Sequence, residues 1–311
     1  MGIMKKAMLI WNPAAGRMGA EGVVREAARV LAEKGWEMCI ERSRSAEHVT
    51  GLAREAAQAE MDAVFVAGGD GSLGRAVTGL AGSNTALGVL PTGTANVWAR
   101  ELGLSVSGPS MVVESARRLA GGKARMMDVG VCNGKLFFLW AGFGLDGRVV
   151  DRLERNRSRW VKQLNEVYYM LTILQCAAGW EGVRVQVQAD DQEVEGTFML
   201  ALAGNIRHYA GGLAQLSPMA VWDDGVMELW LFGAGRRGGL RMAVRHLWNL
   251  GWGRHVRDSE IVCLPFRQLK MEFETEEWMQ MDGEPWGRVK SVEVAVRRRA
   301  VRVLVSGRDE G

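Results

Sequence analysis

The apolar run Ala63-Val64-Phe65-Val66-Ala67, followed at once by Gly68-Gly69-Asp70-Gly71-Ser72, leaves this chain few choices of fold. Five apolar residues without alternation describe a strand covered on both faces, as in parallel sheets with helices on either side. The glycines then break the strand and let backbone approach a large polyanion closely, while a strand-to-helix turn aims free N–H groups at it. Ser72 is placed to cap the helix that Leu73–Leu80 predicts. Asp70 is the odd member. A carboxylate beside phosphate repels it unless Mg²⁺ lies between them or the carboxylate handles a proton.

The same rhythm recurs through the first 120 or so residues. Lys6–Trp11 reads as a buried strand, and Asn12-Pro13-Ala14-Ala15-Gly16-Arg17 as the turn after it. Glu21–Lys34 has apolar residues at helical spacing, with Gly35 placed to end the helix. Trp36, Met38 and Ile40 alternate as a strand, and Ser45 can cap a helix to Gln58. Ala86–Leu90 is another strand, Pro91–Ala95 a turn, Asn96–Leu102 a short helix, and Pro109 suits the first turn of a helix to Ala120. Strand and helix in alternation predict a mostly parallel sheet with helices on both faces.

From Asp128 onward strands dominate: Val131–Trp140, Val183–Gln188, Glu195–Ala203, Val226–Phe232, Glu260–Leu264, Leu269–Phe273, Val292–Val296 and Val301–Val305. Val183, Val185 and Val187 alternate with polar residues, as in an antiparallel sheet with one wet face. Helices are predicted over Val149–Ala178 and Gly239–Leu250. At 311 residues, two domains are the default. An α/β domain over 1–127 and a mainly β domain over 128–290 follow.

Composition narrows the function classes. Hydrophobic content of 48% and charged content of 24% fit a globular protein, and no apolar run approaches a bilayer span. Lys5 and Lys6 precede only Ala7–Trp11, too short for a signal peptide. Cys39, Cys132, Cys176 and Cys263 lack metal or redox spacing and read as isolated thiols in a reducing cytosol. His48, His208, His246 and His255 stand in no nucleophile-elbow setting. Between Leu229 and Arg257 there is no Asp or Glu, yet Arg236, Arg237, Arg241, Arg245, Arg254 and Arg257 fall there. A helix there, with Trp248 and Trp252 near its end, could lie on an anionic lipid surface. A helix packed on the sheet with solvated arginines explains the same pattern. No nucleic-acid motif accompanies the basic residues.

Three turns follow predicted parallel strands, at the edge where open α/β sheets bind ligands. Asn12 to Arg17 could hold phosphate through its amides and Arg17. Gly68–Ser72 offers backbone and a carboxylate, and Thr92, Gly93, Thr94 and Asn96 offer hydroxyls and an amide beside a helix start, suited to phosphate or ribose. Plain turns and simple capping read the same way for the first and third. Asp223-Asp224-Gly225 and Asp282-Gly283-Glu284 read equally as hairpin turns. Glycine turns plus carboxylates, without the GxxxxGK[ST] pattern, point to phosphoryl transfer by a non-P-loop route.

In order, Asn12-Pro13-Ala14-Ala15-Gly16, Gly68-Gly69-Asp70-Gly71-Ser72, Pro91-Thr92-Gly93-Thr94-Ala95-Asn96, Asp128-Val129-Gly130, Ala141-Gly142-Phe143-Gly144-Leu145-Asp146, Asp223-Asp224-Gly225 and Asp282-Gly283-Glu284 resemble the diacylglycerol kinase catalytic-domain family, with its bacterial lipid kinases and sphingosine kinases. The resemblance implies an N-terminal α/β nucleotide-binding domain and a C-terminal β-sandwich that accepts the lipid. ATP would lie in the cleft between them, and terminal strands from about 291 to 311 would return to the first domain. It implies Asp70 and Asp128 in an ATP–Mg²⁺ network, Glu284 as the base for the lipid hydroxyl, and Asp224 on a structural Mg²⁺. Asn12, Gly69, Thr94 and Arg17 would contact the nucleotide, within a site framed by Gly16, Gly68, Gly71, Ser72, Thr92, Gly93 and Asn96. Ser72 stands where many relatives have Thr, and Val97 where many have Asp. The expected activity is a cytoplasmic, peripherally docked, ATP- and Mg²⁺-dependent lipid kinase, with a homodimer left open. An NAD kinase-like enzyme and a catalytically silent lipid- or nucleotide-binding regulator are the alternatives.

Overall fold

The structure, a computed structural model, describes residues 5–13, 20–108, 110–156, 165–212, 214–235 and 239–307. The chain divides into two compact units: Met1–Val129 with Ala210–Gly212 and Arg298–Gly311, and Gly130–Tyr209 with Leu213–Arg297.

In the first unit the fully apolar stretches form the sheet interior. Strands β1 (Lys5–Trp11), β2 (Trp36–Arg42), β3 (Ala63–Gly68) and β4 (Ala86–Pro91) run parallel in the order β2-β1-β3-β4. Helices α1 (Ala20–Glu33), α2 (Ala46–Gln58), α3 (Asp70–Leu80), α4 (Val97–Glu101) and α5 (Met111–Ala120) connect and flank them. Leu9, Ile10, Phe65, Val66 and Leu87 lose all contact with solvent. Trp36 packs edge-on against Phe65 at 5.3 Å and donates its indole N–H to Ala120 O at 3.0 Å. Gly35, at φ +90°, takes the chain out of α1. Register aligns the carboxyl ends: Trp11 pairs with Arg42 and with Ala67, and Gly68 with Pro91. Because β1 lies between β2 and β3, the strand order reverses there, and the crevice above that point is where such sheets take ligands.

Strands β5 (Lys123–Cys132) and β15 (Glu284–Val305) carry the chain between units. The sequence predicts separate strands over Val292–Val296 and Val301–Val305; β15 is one strand instead. Its bend at Arg299, φ +49°, survives because the buried Asp128 carboxylate accepts the Arg299 N–H at 2.6 Å. Arg302 and Val303 then pair parallel with β4.

In the second unit the strand pairings are antiparallel. They involve β6 (Lys135–Phe137), β7 (Trp140–Gly144), β8 (Val183–Ala189), β9 (Gln192–Gly204), β12 (Met227–Gly233), β13 (Ile261–Phe266) and β14 (Gln268–Met281), with a short pair β10 (His208–Tyr209) and β11 (Ala214–Gln215). β9 pairs first with β8 and then with β7 and β12, while β14 pairs first with β8 and then with β7. Strands shared in this way fold the sheet over itself, and Phe143, Val185, Leu229, Phe266, Met271 and Val292 fill the space between. Helices α6 (Leu145–Arg155), α7 (Asn165–Ala177) and α8 (Gly239–Gly251) belong to this unit. Two expectations are corrected here. Val131–Trp140 is not one strand: Asn133 and Gly134, at φ +45° and +77°, make a two-residue hairpin turn between β5 and β6. The helix predicted over Val149–Ala178 is two, α6 beginning already at Leu145.

Candidate active site

In the first unit, the turns after β1, β3 and β4 meet at one edge. Asn12 N–H donates to Ala67 O at 3.0 Å, and its side-chain amide donates to Ser72 Oγ at 2.8 Å. Ser72 therefore does not cap α3. The helix begins two residues earlier, with Gly69 at its N-cap and no side chain closing it. Gly69 and Gly93 come into backbone contact, so that a Cβ on Gly93 would lie 2.5 Å from Gly69 Cα. Thr92 N–H donates to Gly68 O at 3.1 Å, tying the two turns together. The Thr92 hydroxyl is buried and, among the described residues, has no hydrogen-bond partner. Asn96, in the left-handed region at φ 50°, bonds Gly93 N at 3.0 Å and Gly93 O at 2.8 Å, closing the third turn on itself; Thr94 at its tip is exposed.

Asp70 has a definite structural task. Its two oxygens accept the Val97 N–H at 2.9 Å and the Trp98 N–H at 3.1 Å, so it supplies the cap that Asn96 does not provide to α4. Burial pushes its carboxyl above the usual range, against the lowering pull of those N–H groups and of Arg100. An ionised carboxylate has about four acceptor positions, so Asp70 keeps capacity beyond the helix. Val97 is 7% exposed and its side chain packs into the core. Gly16 and Arg17 lie outside the described residues.

Sequence reasoning passed over the carboxyl end of β2. There Pro13, Glu41, Arg42, Ser43 and Arg44 line an open depression of about 510 Å³, with the Arg42 guanidinium over the Trp11 ring at 5.5 Å. The signal was available, because every parallel strand of one sheet delivers its carboxyl end to the same edge.

In the second unit, Asp282 and Gly283, at φ 51° and 79°, form the two-residue turn joining β14 to β15. The Asp282 carboxylate accepts three N–H groups, from Phe138 and Leu139 at 2.7 Å each and from Trp140 at 3.2 Å. Glu284, half-buried, pairs with Met281 directly beyond the turn. Beside it lies a buried polar cluster that the sequence motif contained without disclosing. Asp146 accepts from the Tyr209 hydroxyl and from the Gln280 amide at 2.8 Å, and Gln280 Oε1 in turn accepts the Gly283 N–H at 2.8 Å. Burial raises the Asp146 carboxyl, while Tyr209 and Gln280 hold it down. Gly142 leaves the space: a Cβ there would meet Asp146 Oδ2 at 1.7 Å.

Asp224 is exposed and one of its oxygens accepts the Val226 N–H at 2.9 Å, an Asx turn. Among the described residues, no three His, Cys, Asp or Glu side chains converge. Carboxylates offered singly suit Mg²⁺, which keeps several waters and is held by one or two carboxylates together with substrate phosphates. Among the described residues, no helix is long and apolar enough to cross a membrane.

Known proteins bear on this arrangement. Residues 6–132 match the family model described as diacylglycerol kinase catalytic domain, and residues 140–305 match that of the YegS C-terminal NAD kinase beta sandwich-like domain. The chain is 28% identical over 286 residues to a diacylglycerol kinase of Bacillus subtilis (strain 168), covering 91% of each. It is 29% identical over 273 residues to one of Mycobacterium tuberculosis (strain ATCC 25618 / H37Rv), covering 86% of this chain and 85% of that one. The fold matches a crystal structure of a diacylglycerol kinase from Bacillus anthracis str. Sterne with a TM-score of 0.73 at 19% identity, over 97% of both chains. The protein, an α/β domain joined to a β-sandwich-like domain, belongs to the diacylglycerol kinase catalytic-domain family.

Proposed function

We propose that the protein is an ATP-dependent, Mg²⁺-requiring kinase that transfers the γ-phosphate of ATP to a hydroxyl of a membrane lipid such as diacylglycerol. The observation that carries the reading is the backbone contact of Gly69 with Gly93 between the turns that follow β3 and β4, beside a buried Thr92 hydroxyl that no group among the described residues engages. Side chains are excluded there and donors are kept ready, which is what a polyphosphate needs. In this reading Asn12, Gly68, Gly71, Ser72, Thr94 and Asn96 frame the nucleotide with Gly69, Thr92 and Gly93, and Gly16 and Arg17 extend the first turn. Mg²⁺, when bound, would neutralise charge on the phosphates. Asp70 and Asp128 belong to that network, and Asp224 would order a structural Mg²⁺ in the second unit. The lipid hydroxyl attacks the γ-phosphorus, the bond to the β-phosphate oxygen breaks, ADP leaves, and the hydroxyl proton passes to Glu284. The relatives named diacylglycerol kinase support the acceptor class. The protein would act from the cytosol at a membrane surface.

The test is transfer of labelled γ-phosphate from ATP with Mg²⁺ to a panel of micellar lipids and to NAD, the last because the second domain's model is described as NAD kinase-like. Label in a lipid is expected, with Glu284→Gln lowering turnover about 10²–10⁴-fold while ATP affinity stays near wild type. Label on NAD alone overturns the acceptor, and ATP binding with no label anywhere overturns the kinase reading. A large loss of ATP affinity in Glu284→Gln removes it as the base.

A further inference from the structure

Helix α8 is held in its unit by a narrow face. Ala243 and His246 are buried; His246 Nε2 lies 2.8 Å from Gly233 O, and its ring meets Phe232 edge-on at 5.3 Å. Met242, Leu247 and Leu250 are half-buried, and a further apolar strip is uncovered. Leu240, Val244, Trp248 and Trp252 recur every fourth residue at 45%, 50%, 60% and 65% exposure, and Val256 follows at 48%. The Trp248 and Trp252 rings sit 5.8 Å apart and tilted by 44°. Contiguous exposed apolar surface rimmed by polar groups marks an interaction site.

That strip borders an open depression of about 720 Å³, whose lining includes Trp252, Arg245, Arg254 and Arg257. The carboxylate in its wall, Asp258, is already satisfied by Arg245 at 2.5 Å and the Asn249 amide at 2.6 Å. Arg254 and Arg257 are exposed, and among the described residues neither has an ion pair. With no Asp or Glu between Leu229 and Arg257, the surface carries net positive charge beside its tryptophans.

We propose that the α8 strip and the adjoining arginine depression form a docking surface for an anionic phospholipid bilayer, with Trp248 and Trp252 at headgroup depth and Arg254 and Arg257 on lipid phosphates. Aromatic rings with one wet edge favour that depth, and guanidinium forks match phosphate oxygens. Charge decides against a second copy of the same face, which would bring Arg254 and Arg257 against like charges. The choice of a bilayer rests on the lipid-kinase reading, but the binding measurement does not.

The experiment is co-sedimentation of the full chain, without ATP, with phosphatidylcholine vesicles containing or lacking phosphatidylglycerol. Brominated-lipid quenching is recorded as the difference between wild type and Trp248→Phe/Trp252→Phe, because the chain has twelve tryptophans. Binding is expected to need phosphatidylglycerol and to weaken with salt. Arg254→Gln with Arg257→Gln should lower partitioning about fivefold per arginine, about 25-fold together. Trp248→Ala with Trp252→Ala should lower it about tenfold or more. Wild-type binding by both double variants, no wild-type binding to anionic vesicles, or a dimer that the tryptophan variant dissolves would each overturn the proposal. Because turnover on micellar acceptors is a separate readout, its loss would sink the kinase reading and leave this surface standing.

Discussion

Replacing Asp70 by Ala separates the cap it supplies to α4 from its proposed part in the ATP–Mg²⁺ network. The substitution strips the acceptors from the Val97 and Trp98 N–H groups, bonded at 2.9 and 3.1 Å, in a place where Trp98 is wholly buried and Val97 nearly so. Each buried donor left unsatisfied costs about 1–3 kcal/mol, and loss of an anion at a helix N-terminus adds about 0.3–1 kcal/mol. Against this stands relief of a desolvated carboxylate, whose raised pKa shows that ionisation is disfavoured in the fold. The net loss should be about 2–4 kcal/mol, a fall in Tm of about 5–15 °C at roughly 2–4 °C per kcal/mol for a domain near 150 residues. A group with a raised folded pKa contributes most below its unfolded value of 3.8, and that contribution declines as pH rises through the folded pKa. The gap between wild type and Asp70→Ala should therefore narrow from about pH 4 to about pH 7, while remaining open because the two hydrogen bonds persist. Calorimetry across that range, with ATP titrated well below the transition, reads both quantities. A Tm shift under about 2 °C, or a gap that widens with pH, would refute the reasoning.

Three further outcomes follow from single contacts. Gly93→Ala puts a methyl 2.5 Å from Gly69 Cα, so it should cost about 1–3 kcal/mol and lower ATP affinity by calorimetric titration; unchanged affinity would remove the paired glycine turns from the nucleotide site. Asp282→Ala leaves the Phe138, Leu139 and Trp140 N–H groups without their carboxylate, and should lower stability to urea by about 2–4 kcal/mol, with Asp282→Asn recovering part. Tyr209→Phe removes a donor that favours ionised Asp146, so the folded pKa rises further and urea unfolding should show a larger loss at about pH 7 than at about pH 4.

The α/β-plus-β plan was legible because its signals are local. Buried parallel strands announce themselves as unbroken apolar runs such as Ala63–Ala67, and topology then sends their following turns to one edge. Legibility failed where a distant partner decides. Nothing near Arg297-Arg298-Arg299 says that β15 continues through it; the reason is Asp128, far back in the chain, which accepts the Arg299 N–H. Ser72 looked like a cap because the apolar period starts at Leu73, yet Asn12 claims its hydroxyl and the helix opens at Asp70. The sequence marks a helix over Gly239–Leu250 but could not tell that Ala243 and His246 are covered while Leu240, Val244 and Trp248 are not. The Asn133-Gly134 hairpin, by contrast, was readable, since Asn-Gly between apolar runs is the strongest short hairpin signal.

Four aspartates of the motifs share a property that bears on every activity measurement. Asp70 holds the start of α4, Asp128 the bend of β15, Asp224 its own Asx turn and Asp282 the entry to β7. Each accepts backbone N–H groups, the role short carboxylates serve at turns and helix starts. Loss of turnover on replacing any of them is thus the expected result of disturbed architecture as well as of lost chemistry. The two separate through thermodynamics. A purely structural role predicts that activity returns when the variant is assayed far below its own Tm, or when a conservative amide restores the acceptor. A role in phosphoryl transfer predicts that it does not, because at Asp70 an amide's single oxygen still accepts one of the two N–H groups but carries no charge for Mg²⁺. For Asp70 the second outcome is the one the proposed function requires, and full recovery in Asp70→Asn would confine that residue to holding α4.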